Sequence, residues 1–99
     1  GRIYSGANVE NASYGLTICA ERTAIFKAIS EGESRLEALA VVAEGPTPAS
    51  PCGACRQVMA EFGIKTVIMG NTKGERRTAG LAELLPYAFD KPSIPEDEV

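Results

Sequence analysis

Apolar positions along the chain recur in two rhythms. In residues 18–29, Ile18, Ala24, Ile25, Ala28 and Ile29 return at helical spacing, predicting a helix with one apolar face. Thr17 is placed to cap it, and the helix is read as running to about Glu31, with Gly32 ending it. A second helix is read from Cys55, Val58, Met59 and Phe62, with Ser50-Pro51 as cap and first position and Gly63 as its stop. Unbroken apolar runs of strand length, "LEALAVVA" (36–43) and "KTVIMGN" (65–71), predict buried strands. "GRIYSG" (1–6) reads as a short strand, "ANVENASYGL" as a polar loop, and "KGERRTA" as a turn into a weaker third strand. "GLAELLPYAF" predicts a short helix stopped at Pro86. Helices alternating with short strands imply an α/β sandwich around a small sheet.

Size and charge narrow the functions. Ninety-nine residues make one domain. Residues 1–90 are expected to form it, with 91–99, ending "PSIPEDEV", as an acidic flexible tail. The formal net charge is −3, and apart from Arg76-Arg77 the basic residues are scattered. A nucleic-acid strand calls for a basic stripe, so a small substrate is expected and a polynucleotide is not. Arg76-Arg77 fits a solvent-facing strand edge instead. No apolar stretch approaches a membrane span and no leader pattern is read, so the expectation is a cytoplasmic protein without a membrane partner.

The three cysteines change the picture most. Cys52 and Cys55 are spaced to share one face in the first turn of a helix, and Cys19 stands near the start of another. Helix N-termini favour thiolates, the form that binds zinc. Three protein ligands leave a tetrahedral zinc one open position, the pattern of catalytic rather than structural sites. Glu21 then gains a use: a carboxylate beside a metal-activated water can move protons. Residues two apart on a helix point away from each other, so Cys19 and Glu21 converge only if Cys19 lies in the cap turn. Three thiolates exceed the zinc charge by one, so a cation is expected nearby. Arg22 and Arg56 are the candidates, and Arg22 is favoured because its spacing puts it on the Cys19 face.

"CAE" followed by "PCGAC" resembles the zinc-dependent nucleoside deaminases. With "NVENASYG" upstream, the chain is similar to the small homotetrameric cytidine deaminases over residues 1 to about 90. The resemblance implies a three-layer α-β-α sandwich around a small mixed sheet. It also implies one zinc per chain on Cys19, Cys52 and Cys55, and a homotetramer. Glu21 would take a proton from the activated water, protonate N3 of cytosine and pass a further proton to the departing amino group. The product is uridine or deoxyuridine with ammonia, in pyrimidine salvage. Asn8 and Glu10 would hold the ribose hydroxyls, and Ala20 with the backbone before Cys52 would orient the base. Tyr14 and Phe89 would reach across a subunit boundary, Phe89 onto the base. Family members open with a helix and an interior strand bearing a Phe-x-Asn-Phe-x-Val-Gly-Ala-Ala-like segment. Nothing like it occurs here, so the sandwich is expected without that helix and strand.

Plainer readings stand beside these. "PCGAC" also resembles a thioredoxin-like dithiol, which leaves Cys19 and Glu21 unexplained. Cys19 alone would be an apolar filler, Glu21 alone a helix-dipole partner, Arg22 a solvated charge, and Asn8 and Glu10 ordinary loop residues. A non-catalytic zinc-stapled module would need a fourth ligand, and the chain contains no histidine to supply one. A blasticidin-S-type deaminase would share the cysteines but typically lack Glu10.

Overall fold

The computed structural model describes residues 2–89. Helix α1 (Ala20–Ser30) leads to strand β1 (Ala38–Ala43), helix α2 (Gly53–Glu61), strands β2 (Thr66–Asn71) and β3 (Arg76–Gly80), and a four-residue helix α3 (Leu81–Leu84). A single 3-10 turn, Tyr14–Leu16, precedes α1. Both long helices end as glycine punctuation predicts. Gly32 and Gly63 adopt left-handed φ of 101° and 74°. In each case the next two N–H groups turn back onto the last carbonyls: Gly32 to Ile29 and Glu33 to Ala28, then Gly63 to Ala60 and Ile64 to Met59.

The sheet is mixed, in the order β1-β2-β3. β1 and β2 run parallel, Leu39 opposite Val67 and Val41 opposite Met69. Parallel pairing requires a crossover, and α2 supplies it. β2 and β3 are antiparallel, with Val67 opposite Ala79. Asn71 builds their turn. Its side-chain oxygen accepts from the N–H groups of Lys73 (3.2 Å) and Glu75 (3.0 Å), and its amide donates to the Gly45 carbonyl (3.1 Å) and the Glu75 carboxylate (2.8 Å). A buried asparagine is stable here because both ends of the amide are paired.

Ile25, Cys55, Met59, Ile64, Val67, Met69 and Leu81 form the core, with Leu39, Val41 and Ala79 against it. All three helices therefore bury side chains on the face bearing residues 39, 41, 67, 69 and 79. The expected α/β fold around a small mixed sheet is present. Arg76 and Arg77 lie exposed on the outer strand β3, as a protected edge requires.

Three local expectations change. Residues 2–6 form no strand; among the described residues this stretch finds no sheet partner, and its nearest pairing is the isolated Val9–Ile18 bridge. β1 is not buried on both faces: Val42 is 65% exposed, one edge and one face of the strand having no partner among the described residues. A cavity of about 900 Å³ separates that edge from residues 2–6 and is also lined by Ala20, Glu21 and Ile25 of α1. The helix caps are Cys19 and Cys52 rather than Thr17 and Ser50-Pro51. The Thr17 hydroxyl is already engaged by the Asn11 N–H at 3.1 Å, which fixes the preceding loop instead of the helix. The expected tail, 91–99, lies outside the described residues.

Candidate metal centre

Each metal-ligating cysteine sits where a helix begins. Cys19 and Cys52 are extended (φ −69°, ψ 154° and φ −71°, ψ 168°) and serve as N-caps. The Cys52 sulfur accepts from the Cys55 N–H at 3.4 Å, a thiol doing what a serine hydroxyl commonly does. Cys55 is in the first turn of α2 and wholly buried.

The caps bring the sulfurs together. Cys19 Sγ lies 3.7 Å from Cys52 Sγ, Cys52 Sγ lies 3.3 Å from Cys55 Sγ, and all three fall within 4.8 Å of one another. Two thiolates on a tetrahedral zinc stand ~3.8 Å apart, given ~2.3 Å bonds. The donor set therefore fits one zinc ion. Cys55 closes the buried side, Cys19 is half-buried and Cys52 is exposed, so the cluster opens toward solvent. That asymmetry suits a metal with a replaceable fourth position.

Ionisation differs across the cluster. Burial, aided by the neighbouring Cys52 thiol and the Glu21 charge, pushes the Cys55 thiol up to about 12. Burial also opposes ionisation of Cys52. There it is outweighed by hydrogen bonds from the Cys55 N–H, the Cys55 and Cys19 thiols and the Ala54 N–H, so this thiol falls below its ordinary value.

Arg22 faces the cluster. Its Nη2 donates to the Thr17 carbonyl at 3.3 Å and lies 3.8 Å from Cys19 Sγ. Its Nε is buried without a partner. A guanidinium with an unspent buried donor beside three sulfurs matches an anionic metal–thiolate group. Arg56 does not face it. Adjacent to Cys55 on the helix, it turns about 100° away and bonds to Pro51, Leu84 and Ser50.

Cys19 is the cap itself, the condition under which it and Glu21 can converge. Glu21 stands in the first turn of α1, half-buried, on the wall of the 900 Å³ cavity. Asn8 reaches the same helix end, its Oδ1 accepting from the Ala20 N–H at 2.7 Å. Glu10 is exposed one residue past the Val9–Ile18 bridge. Tyr14, in the 3-10 turn, and Phe89 are 89% and 66% exposed.

Two features of this region escape sequence reasoning. Gly6 is pressed against α1: a Cβ there would lie 2.6 Å from the Ala24 nitrogen and 2.8 Å from the Ala20 carbonyl oxygen. The three-way bonding of Arg56 is the other. Neither carries a motif, although helical periodicity alone separates Arg56 from the sulfurs.

Comparison with known proteins agrees with this geometry. The cytidine and deoxycytidylate deaminase zinc-binding region matches residues 1–71. A cytidine deaminase of Sporosarcina psychrophila is 53% identical over 96 residues, covering 95% of this chain and 71% of that protein. One of Halalkalibacterium halodurans is 56% identical over 91 residues, covering 90% and 69%. The crystal structure of cytidine deaminase from Burkholderia pseudomallei superposes with a TM-score of 0.84 at 50% identity, covering 90% of this chain and 73% of that one.

Proposed function

The chain belongs to the cytidine and deoxycytidylate deaminase family, and on that premise we propose that it deaminates cytidine or deoxycytidine hydrolytically. Water adds at C4 of the base, the amino group leaves as ammonia, and uridine or deoxyuridine results. The observation that carries this reading is the three-cysteine cluster at two helix caps, open on one side, with Glu21 in the adjoining helical turn.

Cys19, Cys52 and Cys55 would hold the zinc, which when bound supplies Lewis acidity to a water molecule. Glu21 would take one proton from the attacking water and deliver it to N3, so that C4 becomes more electrophilic; it would then take the second proton from the hydroxyl now on C4 and deliver it to the leaving amine. Arg22 offsets the excess thiolate charge. Asn8 and Glu10 divide the sugar hydroxyls. With its Oδ1 spent on Ala20, Asn8 offers its Nδ2 as a donor, and the Glu10 carboxylate accepts. Ala20, at the first helical position, orients the base with the backbone before Cys52.

The same reading takes the active unit as a homotetramer, with the exposed Tyr14 and Phe89 at subunit contacts, and assigns the reaction to cytoplasmic pyrimidine salvage. Among the described residues, no helix is long and apolar enough to cross a membrane. Sedimentation of the zinc-loaded protein tests the assembly, and a monomer at working concentration would remove Tyr14 and Phe89 from the site.

Glu21→Ala tests the chemistry. The variant should retain one zinc per chain and lose cytidine turnover by at least about 10²-fold, followed by absorbance. Undiminished turnover would strip Glu21 of its role.

A further inference from the structure

Arg56 lies half-buried in the second turn of the helix that carries Cys55. Its guanidinium spans three separate pieces of backbone and side chain. Nε donates to the Pro51 carbonyl at 2.9 Å, Nη2 to the Ser50 hydroxyl at 2.7 Å, and Nη1 to the Leu84 carbonyl at 2.7 Å. Ser50 and Pro51 immediately precede Cys52, so two of the three bonds fix the chain that delivers this sulfur. The third occupies an end carbonyl of α3, which a four-residue helix leaves without a partner of its own.

We propose that Arg56 is a positioning residue of the metal centre: it holds the Ser50–Pro51 segment on α2 and so keeps Cys52 capping that helix, with its sulfur against Cys55 and Cys19. The inference rests on the zinc reading above but concerns a residue that touches no sulfur. Its charge is not the operative property. The guanidinium is directed at neutral oxygens, and the geometry uses Nε and both terminal nitrogens in one plane. Lysine carries the same charge but cannot reproduce that fork. Were this segment released, Cys52 would keep its chemistry but lose its fixed approach to the other two sulfurs, because among the described residues its own thiol bonds only within the cluster and the α2 turn.

The test compares Arg56→Lys, Arg56→Ala and Ser50→Ala with the parent chain. Cobalt(II) replaces zinc as a spectroscopic probe, and release of bound zinc to a competing chelator is timed. Removing a group that orients a ligand commonly costs 10- to 100-fold in metal affinity. Both Arg56 variants should therefore release zinc about tenfold faster or more and shift the cobalt d–d and sulfur charge-transfer bands. Ser50→Ala, which loses one bond of three, should change in the same direction by less. Asn71→Ala, which removes the β2–β3 turn bonds outside the hydrophobic cluster around Cys55, should lower thermal stability without moving the bands. If Arg56→Lys keeps the parent's release rate and spectrum, the role is electrostatic and the proposal fails. If the Arg56 variants lose only thermal stability, the bands unmoved, Arg56 merely supports the fold. Should Arg56→Ala not fold, Arg56→Lys and Ser50→Ala decide. A parent chain that takes up neither metal overturns the zinc reading itself, a result distinct from any of these.

Discussion

Gly6 and Asn8 lie two residues apart and act on the same turn of α1. The backbone at Gly6 rests so closely on Ala20 and Ala24 that any side chain would meet backbone atoms, which cannot rotate aside. Asn8, just beyond, caps the helix through its 2.7 Å bond to the Ala20 N–H. Gly6→Ala should therefore cost about 1–3 kcal/mol in urea-induced unfolding. By displacing Asn8 it should raise KM for cytidine more than it lowers kcat. A KM unchanged beside a lower stability would separate the two residues. Cys19, Cys52 and Cys55 were legible in the sequence because cysteine is scarce, three in the chain, and the spacing states its chemistry, whereas Glu21, one of eleven glutamates, stood out only by its place beside Cys19. Gly6 was not, since nothing local demands a glycine there; the demand comes from a helix fourteen residues later in the chain. Arg22 and Arg56 illustrate the middle case, where helical spacing selects the arginine near the sulfur but is silent on what the other one grips.

The helices show which local signals survive folding. Their C-termini were readable because a left-handed φ is a backbone requirement that glycine meets and other residues resist. Gly63, at φ 74° with open space around a notional Cβ, isolates that effect. Gly63→Ala should destabilise the chain by about 1–2 kcal/mol and Gly63→Asn by less, asparagine being the better tolerated of the two in that conformation. Equal losses for both, measured by denaturant unfolding, would point to a cause other than φ. The N-termini were misread for a complementary reason. Serine and threonine are the usual caps, yet here both caps are cysteines, while Thr17 is drawn into the loop and Ser50 into the Arg56 bonds. Metal-ligand chemistry and capping compete for the same positions, and propensity describes only the second. β1 was recognised by its apolar run, but no run of alanines and valines reveals how many of a strand's edges are paired.

Across the molecule, the cluster joins elements that otherwise touch lightly. Cys19 heads α1 and Cys52 heads α2, 33 residues on, and a zinc ion would staple the two helix starts directly. The rest of the fold is anchored elsewhere, in Met59, Val67, Met69 and their neighbours, with β2 paired on both sides. β1, by contrast, has one edge on the 900 Å³ cavity among the described residues, and the chain spans about seven tenths of the relatives it matches. Metal should therefore stabilise the ends of α1 and α2 more than the strands. Binding at a hundredfold excess over Kd contributes about 2.7 kcal/mol, so chelating zinc should lower Tm by about 10 °C or more. Amide exchange would locate the effect. Protection should fall first in the opening turns of α1 and α2 and last in β2, while β1 amides on the cavity side exchange fast with or without zinc. A uniform loss would mean that the metal holds the whole core together, and that the hydrophobic cluster behind Cys55 does not stand without it.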